Sequence, residues 1–178
     1  RVLFRSHTDF SVSVDPYMST KEASKRRDFT INALMKHVLS GEIIDHYGGL
    51  NDLNNKIIRH INDETFLEDP LRVYRAAGFA SRLGYEIAPE TMNLCKKINT
   101  SFIAKERVYE ETNKVLLKSI KPSIYFNMLR EMDQLKSFPN LERLINVRQN
   151  PTWHPEGDVW NHTMEVIDKA ALVRDQTS

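Results

Sequence analysis

Read for the spacing of its apolar positions, the chain changes character near residue 62. Before that point the apolar residues come in short runs. Phe10-Ser11-Val12-Ser13-Val14 alternates apolar and polar, as a half-buried strand does, and Asp15-Pro16 ends it. Ser19-Thr20-Lys21-Glu22 offers an N-cap and a capping-box glutamate, which predicts a helix toward Arg27. From Phe29 to Val38 the apolar residues at 31, 34, 35 and 38 have helical spacing. Glu42-Ile43-Ile44-Asp45 predicts a short strand before a Gly48-Gly49 turn, and Ile57 to Ile61 predicts another.

After residue 62 the pattern is helical throughout. Pro70 to Leu83 predicts a helix with Pro70 at its first position, Asp69 at or beside the N-cap and Gly84 as the C′ residue. Pro89 to Ile98 predicts a second helix. Lys105 to Leu117 predicts a third, with Val108, Thr112, Val115 and Leu116 on one face. Ser123 to Leu135 follows, then a break at Phe138-Pro139 before Leu141 to Val147. The stretch Asn150 to Gly157 is a loop, and Asp158 caps a last amphipathic helix through Val159, Thr163, Val166 and Ala170. There is no internal repeat and no low-complexity linker. The expected fold class is α+β, mostly helical.

Composition narrows this only moderately. A chain of 178 residues holds one or two domains, and 40% apolar with 28% charged residues fits a soluble globular protein. No apolar run has membrane-spanning length and no signal-peptide pattern occurs, so a cytoplasmic location is expected. A single cysteine excludes an internal disulfide and a Cys-rich zinc site. Cys95 lies in the helical pattern Met92, Cys95, Ile98 and reads as a small buried hydrophobe. The net charge is +1, but Lys96 to Arg148 holds eleven Lys/Arg against six Asp/Glu. That local excess suits a phosphate backbone, and equally an ordinary solvated helical surface.

Three clusters carry candidate chemistry. The first is Glu68-Asp69-Pro70-Leu71-Arg72-Val73-Tyr74-Arg75. Residues three or four apart share a helix face, so Asp69, Arg72, Arg75 and Phe79 line up. A carboxylate accepts from an exocyclic amine and a guanidinium donates through a rigid fork. Cytosine and adenine both present an amine beside a ring-nitrogen acceptor, so one Asp and one Arg can read either along its pairing edge. The plainer alternative is an N-cap worth about 1 kcal/mol followed by solvated arginines. The second cluster is Arg26-Arg27-Asp28 with Asn32. Two guanidiniums can grip a triphosphate and Asp28 can accept from a ribose hydroxyl, or the three form a local ion pair. The third, Asp45-x-x-x-Gly49-x-x-Asp52-Leu53, is also what a strand, a glycine turn and an acidic helix start would give.

Taken together and in order, these stretches resemble one family. Arg26 to Leu34 resembles its RRDFTINAL signature, Asp45 to Leu53 its D…G..DL element, and Glu68 to Tyr85 its EDPLR…R..RFA..LGF helix. Glu106-Arg107-Val108-Tyr109-Glu110-Glu111 resembles its later ER…E element. The family is the class II tRNA nucleotidyltransferases and bacterial poly(A) polymerases, and the likeness runs from about His7 to about Val147. It implies an α+β head that holds Mg²⁺ on an Asp-x-Asp pair, and a helical neck that selects the incoming nucleotide with side chains. By position Arg27 would contact the nucleotide and Asp28 the ribose. Asp69 and Arg72 would read the base, and Arg75 would support the triphosphate side. The implied reaction adds C and A from CTP and ATP to the tRNA 3′ end and releases pyrophosphate. A poly(A) polymerase shares every one of these motifs, and a non-catalytic RNA-binding helical module is the alternative from another class.

Two departures from the pattern stand out. The Mg²⁺-binding pair would lie ahead of residue 7, so no catalytic residue is expected within the chain. Gly78 stands where the family usually carries a third arginine after Arg72 and Arg75. Trp153 to Thr163 resembles the opening of an HD-type phosphohydrolase domain, in which His162 matches the first metal-ligand histidine; a helix-surface histidine explains it equally. The expected organisation is therefore 7–61 as the latter part of the head, 62–120 as the neck, 121–150 as the body and 151–178 as the start of an HD domain. Residues 1–6 read as a sequencing-adapter scar, and the chain as a piece of a longer protein. The expected partners are tRNA, CTP and ATP, with no membrane; the pattern leaves oligomeric state open.

Overall fold

The computed structural model describes residues 17–150 and 152–176. The expected strand at Phe10–Val14 and the expected scar at residues 1–6 lie outside the described residues. The element order is α1 (Thr20–Lys25), β1 (Met35–Lys36), β2 (Ile43–Ile44), α2 (Gly49–Asn55), β3 (Ile57–Ile58), α3 (Asp63–Leu67) and α4 (Arg72–Leu83). It continues with β4 (Glu86–Ile87), α5 (Pro89–Lys97), α6 (Lys105–Lys118), α7 (Ser123–Glu131), α8 (Pro139–Glu142) and α9 (Val159–Gln176). Two 3₁₀ turns, Thr30–Asn32 and Leu135–Ser137, complete the list. This is the α+β, mostly helical fold expected. β1 pairs antiparallel with β2, and β3 pairs parallel with β4.

The first helix forms as its capping box predicts, with Ser19 and Glu22 exchanging hydrogen bonds at the N-terminus. The helical spacing from Phe29 to Val38 does not give a helix. Phe29 is fully buried, Thr30 donates its backbone N–H to Arg59 O at 2.9 Å, and Phe29 bridges His60. These contacts from a distant segment hold the chain in a 3₁₀ turn and then an extended β1, overriding local spacing.

Gly48 and Gly49 make the turn into α2. Gly48 sits at φ +73°, and a Cβ on Gly49 would lie 2.3 Å from Thr30 O, so only glycine fits there. Asp45 accepts from the backbone N–H groups of Tyr47, Gly49 and Leu50 at 3.2, 2.9 and 3.0 Å, filling the orphan donors of the helix start. Asp52 is buried and accepts from Thr30 Oγ1 at 2.7 Å and from Arg59 Nε. The third cluster is thus a structural knot.

Helix α4 is the centre of the molecule and packs against α6 and α7. Its buried side, Val73, Tyr74, Ala76, Ala77, Gly78, Ala80 and Ser81, is mostly small, which lets its neighbours approach closely. The helix begins two residues later than expected. Pro70 lies in a turn in which Arg72 N donates to Asp69 O and Leu71 N to Asp69 Oδ1. Gly84 ends it at φ +67°, as predicted.

Helix α7 is shorter than the pattern implied, stopping at Glu131. Buried Gln134 accepts from Thr100 Oγ1 and donates to the carbonyls of Cys95 and Ile98, which draws that segment out of the helix. Pro139 opens α8 at a first-turn position, two residues ahead of the expected start. Asp168 on α9 accepts from Ser123 N and Oγ at 2.9 and 2.7 Å, capping α7 from the far end of the chain. Trp160, almost fully buried, donates to Asn127 at 3.0 Å and lies under Arg130.

One apolar core runs through the described residues, from Phe29 and Ile58 through Phe66 and Tyr74 to Trp160. The expected head–neck boundary at 61/62 is therefore crossed by both this core and the β3–β4 pair. No helix among the described residues is long and apolar enough to cross a membrane.

Candidate functional site

A cleft of about 270 Å³ lies where the end of α1 meets the start of α4. Arg26, Arg27, Asp28, Asp69, Leu71, Arg72, Arg75 and Arg107 line it. The structure thus gathers every residue nominated from sequence, Arg27, Asp28, Asp69, Arg72 and Arg75, around one opening. Five guanidiniums around two carboxylates make the cleft net positive, which suits a polyanion.

The first cluster owes its position to the turn before α4. Asp69 accepts from Leu71 N at 3.2 Å and is half-buried, so its carboxylate stays near the helix start. Arg107, from the first turn of α6, reaches Asp69 with one nitrogen at 3.2 and 3.1 Å from its two oxygens. Arg72 turns the other way: it donates to Thr65 O, and to Arg26 O at 2.9 Å. It thereby fastens α3 and the end of α1 to α4.

The second cluster is split in two. Arg27 is exposed at the rim. Asp28 is buried, and four donors fill it: Phe29 N and Asn32 Nδ2 on Oδ1 at 2.9 and 3.0 Å, and Arg75 Nε and a terminal nitrogen on Oδ2 at 2.7 and 2.6 Å. Such a two-nitrogen grip fixes the guanidinium plane. Arg75 also stacks over Phe79 at 5.6 Å and approaches Glu111 at 3.7 Å.

Behind the cleft lie residues that sequence reasoning did not single out. Buried Glu111 holds Lys114 at 2.7 Å. Arg82 also lies over the Phe79 ring, 4.7 Å from its centroid. Burial lowers the Arg82 guanidinium's pKa, Glu111 pulls it back up, and the like charge of Arg75 lowers it further. Arg107 was visible only as part of the ER…E element; nothing local tells that it pairs with a residue 38 positions earlier.

Gly78 is buried, and a Cβ on it would meet Val115 Cγ2 at 3.5 Å. Its position therefore faces α6. Cys95 is buried as expected, and burial pushes its thiol up to about 12. His162 stands in the first turns of α9 with Nδ1 at 2.6 Å from Glu156 Oε1, and His154 Nδ1 meets the same oxygen at 3.0 Å. Glu156's own backbone N–H first, and then the ring of His154, hold its carboxyl at about 2.

Comparison with known proteins follows this geometry. The sequence family described as "Poly A polymerase head domain" matches residues 3–59, and "Probable RNA and SrmB- binding site of polymerase A" matches residues 84–145. The chain is 41% identical to a "Multifunctional CCA protein" of Psychromonas ingrahamii, over 95% of this chain and 42% of that protein. Among solved structures, the Bacillus stearothermophilus CCA-adding enzyme in complex with CTP is 32% identical with a TM-score of 0.64, over 71% of this chain and 33% of that one. A tRNA nucleotidyltransferase complexed with a primer tRNA and an incoming ATP analog is 31% identical with a TM-score of 0.62, over 81% of this chain and 42% of that one. The chain spans about two fifths of the length of the curated relatives it matches. The head-domain model and the RNA-binding model thus follow one another in order along the chain, which is similar in sequence and fold to the CCA-adding tRNA nucleotidyltransferases.

Proposed function

We propose that this chain is part of a CCA-adding tRNA nucleotidyltransferase, in which Asp69 and Arg72 select the base of an incoming CTP or ATP. The reaction joins the tRNA 3′-hydroxyl to the α-phosphate and releases pyrophosphate. The observation that carries the reading is the meeting of Arg27, Asp28, Asp69, Arg72 and Arg75 around one positively charged cleft. In this reading 7–61 belongs to the head, 62–120 is the neck, 121–150 the body and 151–178 the opening of an HD domain. The enzyme works in the cytoplasm on tRNA.

The side chains would act as follows. Asp69 accepts from the exocyclic amine and Arg72 donates to the ring nitrogen, which excludes bases with the opposite pattern. To do so each must exchange a present partner, Asp69 releasing Arg107 and Arg72 releasing carbonyls of Thr65 and Arg26. Arg107, freed, adds positive charge to the rim. Arg27 is exposed and meets the triphosphate directly. Arg75 is held by Asp28, so its plane is set before the nucleotide arrives. A ribose hydroxyl reaches Asp28 only by replacing one of its four donors.

Mg²⁺ is the cofactor this chemistry uses. The carboxylates of the cleft do not fit it: Asp28 and Asp69 are each bound by a guanidinium. The reading assigns the metal to an Asp-x-Asp pair ahead of residue 7, and no step here depends on it.

The test is made on the full-length enzyme that contains this chain. Given tRNA lacking its terminal CCA and CTP alone, it should add C residues and stop, and ATP should then complete the end. Tailing of mixed RNA with ATP alone would replace this reading with a poly(A) polymerase. No incorporation of any nucleotide, with the fold intact, would leave an RNA-binding module.

A further inference from the structure

We propose that the cavity between the start of α6 and the 3₁₀ turn before α8 is a second nucleotide pocket, which takes one unpaired nucleotide of an RNA strand with its base inside and its phosphate at Lys105 and Lys136. The cavity measures about 560 Å³, a usual size for a ligand site, and shares no lining residue with the cleft. The inference rests on this cavity and not on the base reading by Asp69 and Arg72 proposed above.

Three segments wall the cavity: the loop 100–103, the first two turns of α6, and the 3₁₀ turn that runs into α8. Ile103, Val108, Tyr109, Phe138 and Pro139 make it mostly apolar. Aromatic side chains hold a nucleobase by stacking, whatever its sequence context. Tyr109 is 68% exposed, so its ring is open to a base arriving from solvent. Phe138 packs edge-on against Tyr74, Tyr125 and Phe126, with centroids 6.5, 6.5 and 5.7 Å away. Ser137 Oγ lies 2.7 Å from Tyr74 OH. That wall is therefore fixed by the core before any ligand arrives.

Four hydroxyls, those of Thr100, Ser101, Thr112 and Ser137, supply the polar part of the lining. A hydroxyl has one proton to give. Thr100 donates it to Gln134 Oε1 at 2.7 Å, Ser101 to Asn99 Oδ1 at 2.7 Å, and Thr112 to Val108 O at 2.8 Å. These three oxygens are left as acceptors, which suits the exocyclic amine of adenine or cytosine. Lys105 and Lys136 add positive charge, and no carboxylate is among the described lining residues, so the group beside the base is an anion such as phosphate. Lys105 and Tyr109 share one face of α6, while Arg107 between them lines the cleft from another. The two openings are thus about one helix diameter apart, about 10–12 Å. A strand laid over the start of α6 reaches both, which favours RNA over a free mononucleotide.

The test measures fluorescence anisotropy of 5′-fluorescein pentaadenylate on the 178-residue chain, with no nucleotide addition involved. The strand should bind saturably, and AMP should compete far more weakly than unlabelled strand. Tyr109→Ala, at an exposed side chain, should weaken binding about fivefold or more. Lys136→Ala should weaken it about twofold or more and flatten its salt dependence. Lys118→Ala, on the last turn of α6 and outside both openings, should leave it unchanged. A pentamer of purine riboside, which lacks the 6-amino group, should bind about threefold or more weakly than pentaadenylate. That difference should vanish in Tyr109→Ala; if it persists there, the amine is read in the cleft and this pocket is not a base site. Pentaadenylate with 8-azidoadenosine at its centre should crosslink, on irradiation, to residues of this cavity, mapped by mass spectrometry. No saturable binding, binding untouched by Tyr109→Ala and Lys136→Ala, AMP binding as tight as the strand, or crosslinks confined to the cleft would each overturn the proposal.

Discussion

Arg107, in the first turn of α6, places one nitrogen 3.1 and 3.2 Å from the two oxygens of Asp69, at the mouth of α4. Asp69, the carboxylate proposed to read the base, is thus occupied by a side chain from another helix. The pair is open to water, with 51% and 36% of the two side chains exposed. Exposed pairs contribute about 0–1 kcal/mol. Arg107→Ala should therefore lower the stability of the chain by no more than about 1 kcal/mol in urea unfolding. In the full-length enzyme it should leave the preference for CTP and ATP over UTP and GTP intact, because Asp69 gives up Arg107 before it meets a base and Leu71 N still holds it. Loss of that preference would mean that Arg107 orients Asp69 in the nucleotide complex as well.

Arg72 is predicted to behave differently, because its two partners are main-chain carbonyls. It joins Thr65 and Arg26 to the start of α4. Hydrogen bonds from a charged group are worth about 1.5–3 kcal/mol. Arg72→Ala should cost the chain stability on that order and also remove about 1–3 kcal/mol of base discrimination in the full-length enzyme. Arg72→Lys should recover little of either, since an ammonium cannot reach both carbonyls through one planar fork. Urea melts of the chain and single-nucleotide competition assays measure the two effects separately.

The contrast between these arginines shows what the sequence reveals and what it does not. Asp69-Pro70 and Gly84 punctuate α4 locally, so the helix was readable from spacing, although it starts at Arg72 and leaves Asp69 in the turn before it. The partners of those side chains were not. Arg75 meets Asp28 across 47 positions, and Arg107 meets Asp69 across 38. Phe29 to Val38 carries helical spacing, yet Arg59, His60 and Asp52 hold it in a turn and a strand. Ser123 starts a helix whose cap, Asp168, arrives from 45 residues away. Local chemistry set the punctuation, while tertiary contacts decided which donor fills which acceptor.

Asp45 makes a prediction about pH. Burial raises its carboxyl pKa, but the backbone N–H groups of Leu50, Gly49, Tyr47 and Gly48 together outweigh that and leave it below the ordinary 3.8. A carboxyl held low in the folded state stabilises fully above its unfolded value and loses that contribution as the pH falls through its folded value. Asp45→Asn keeps one acceptor oxygen but loses the charge and the acceptor of Leu50 N, so it should melt lower than the parent chain at pH 7, by about 0.3–1 kcal/mol. The gap should stay constant down to about pH 5 and close below about pH 4. Thermal melts of both proteins from pH 7 to pH 3 give the difference directly; a gap that widens on acidification would contradict the capping role.

Gly78 gives the reverse case, a substitution expected to stabilise. It lies inside α4, where glycine costs about 1 kcal/mol relative to alanine. Its backbone is ordinary helix, and an added Cβ would stand 3.5 Å from Val115 Cγ2, a normal packing distance. Gly78→Ala should therefore raise the melting temperature by about 2–4 °C for a chain of this size. Gly78→Arg should do the opposite. The position is buried against α6, so a guanidinium stem would have to displace Val115 or leave its charge among apolar groups. Arg82 already donates to Gly78 O at 3.2 Å and lies over Phe79. An arginine at 78 that left the melting temperature unchanged and tightened nucleotide binding would show instead that the helix can rotate it into the cleft.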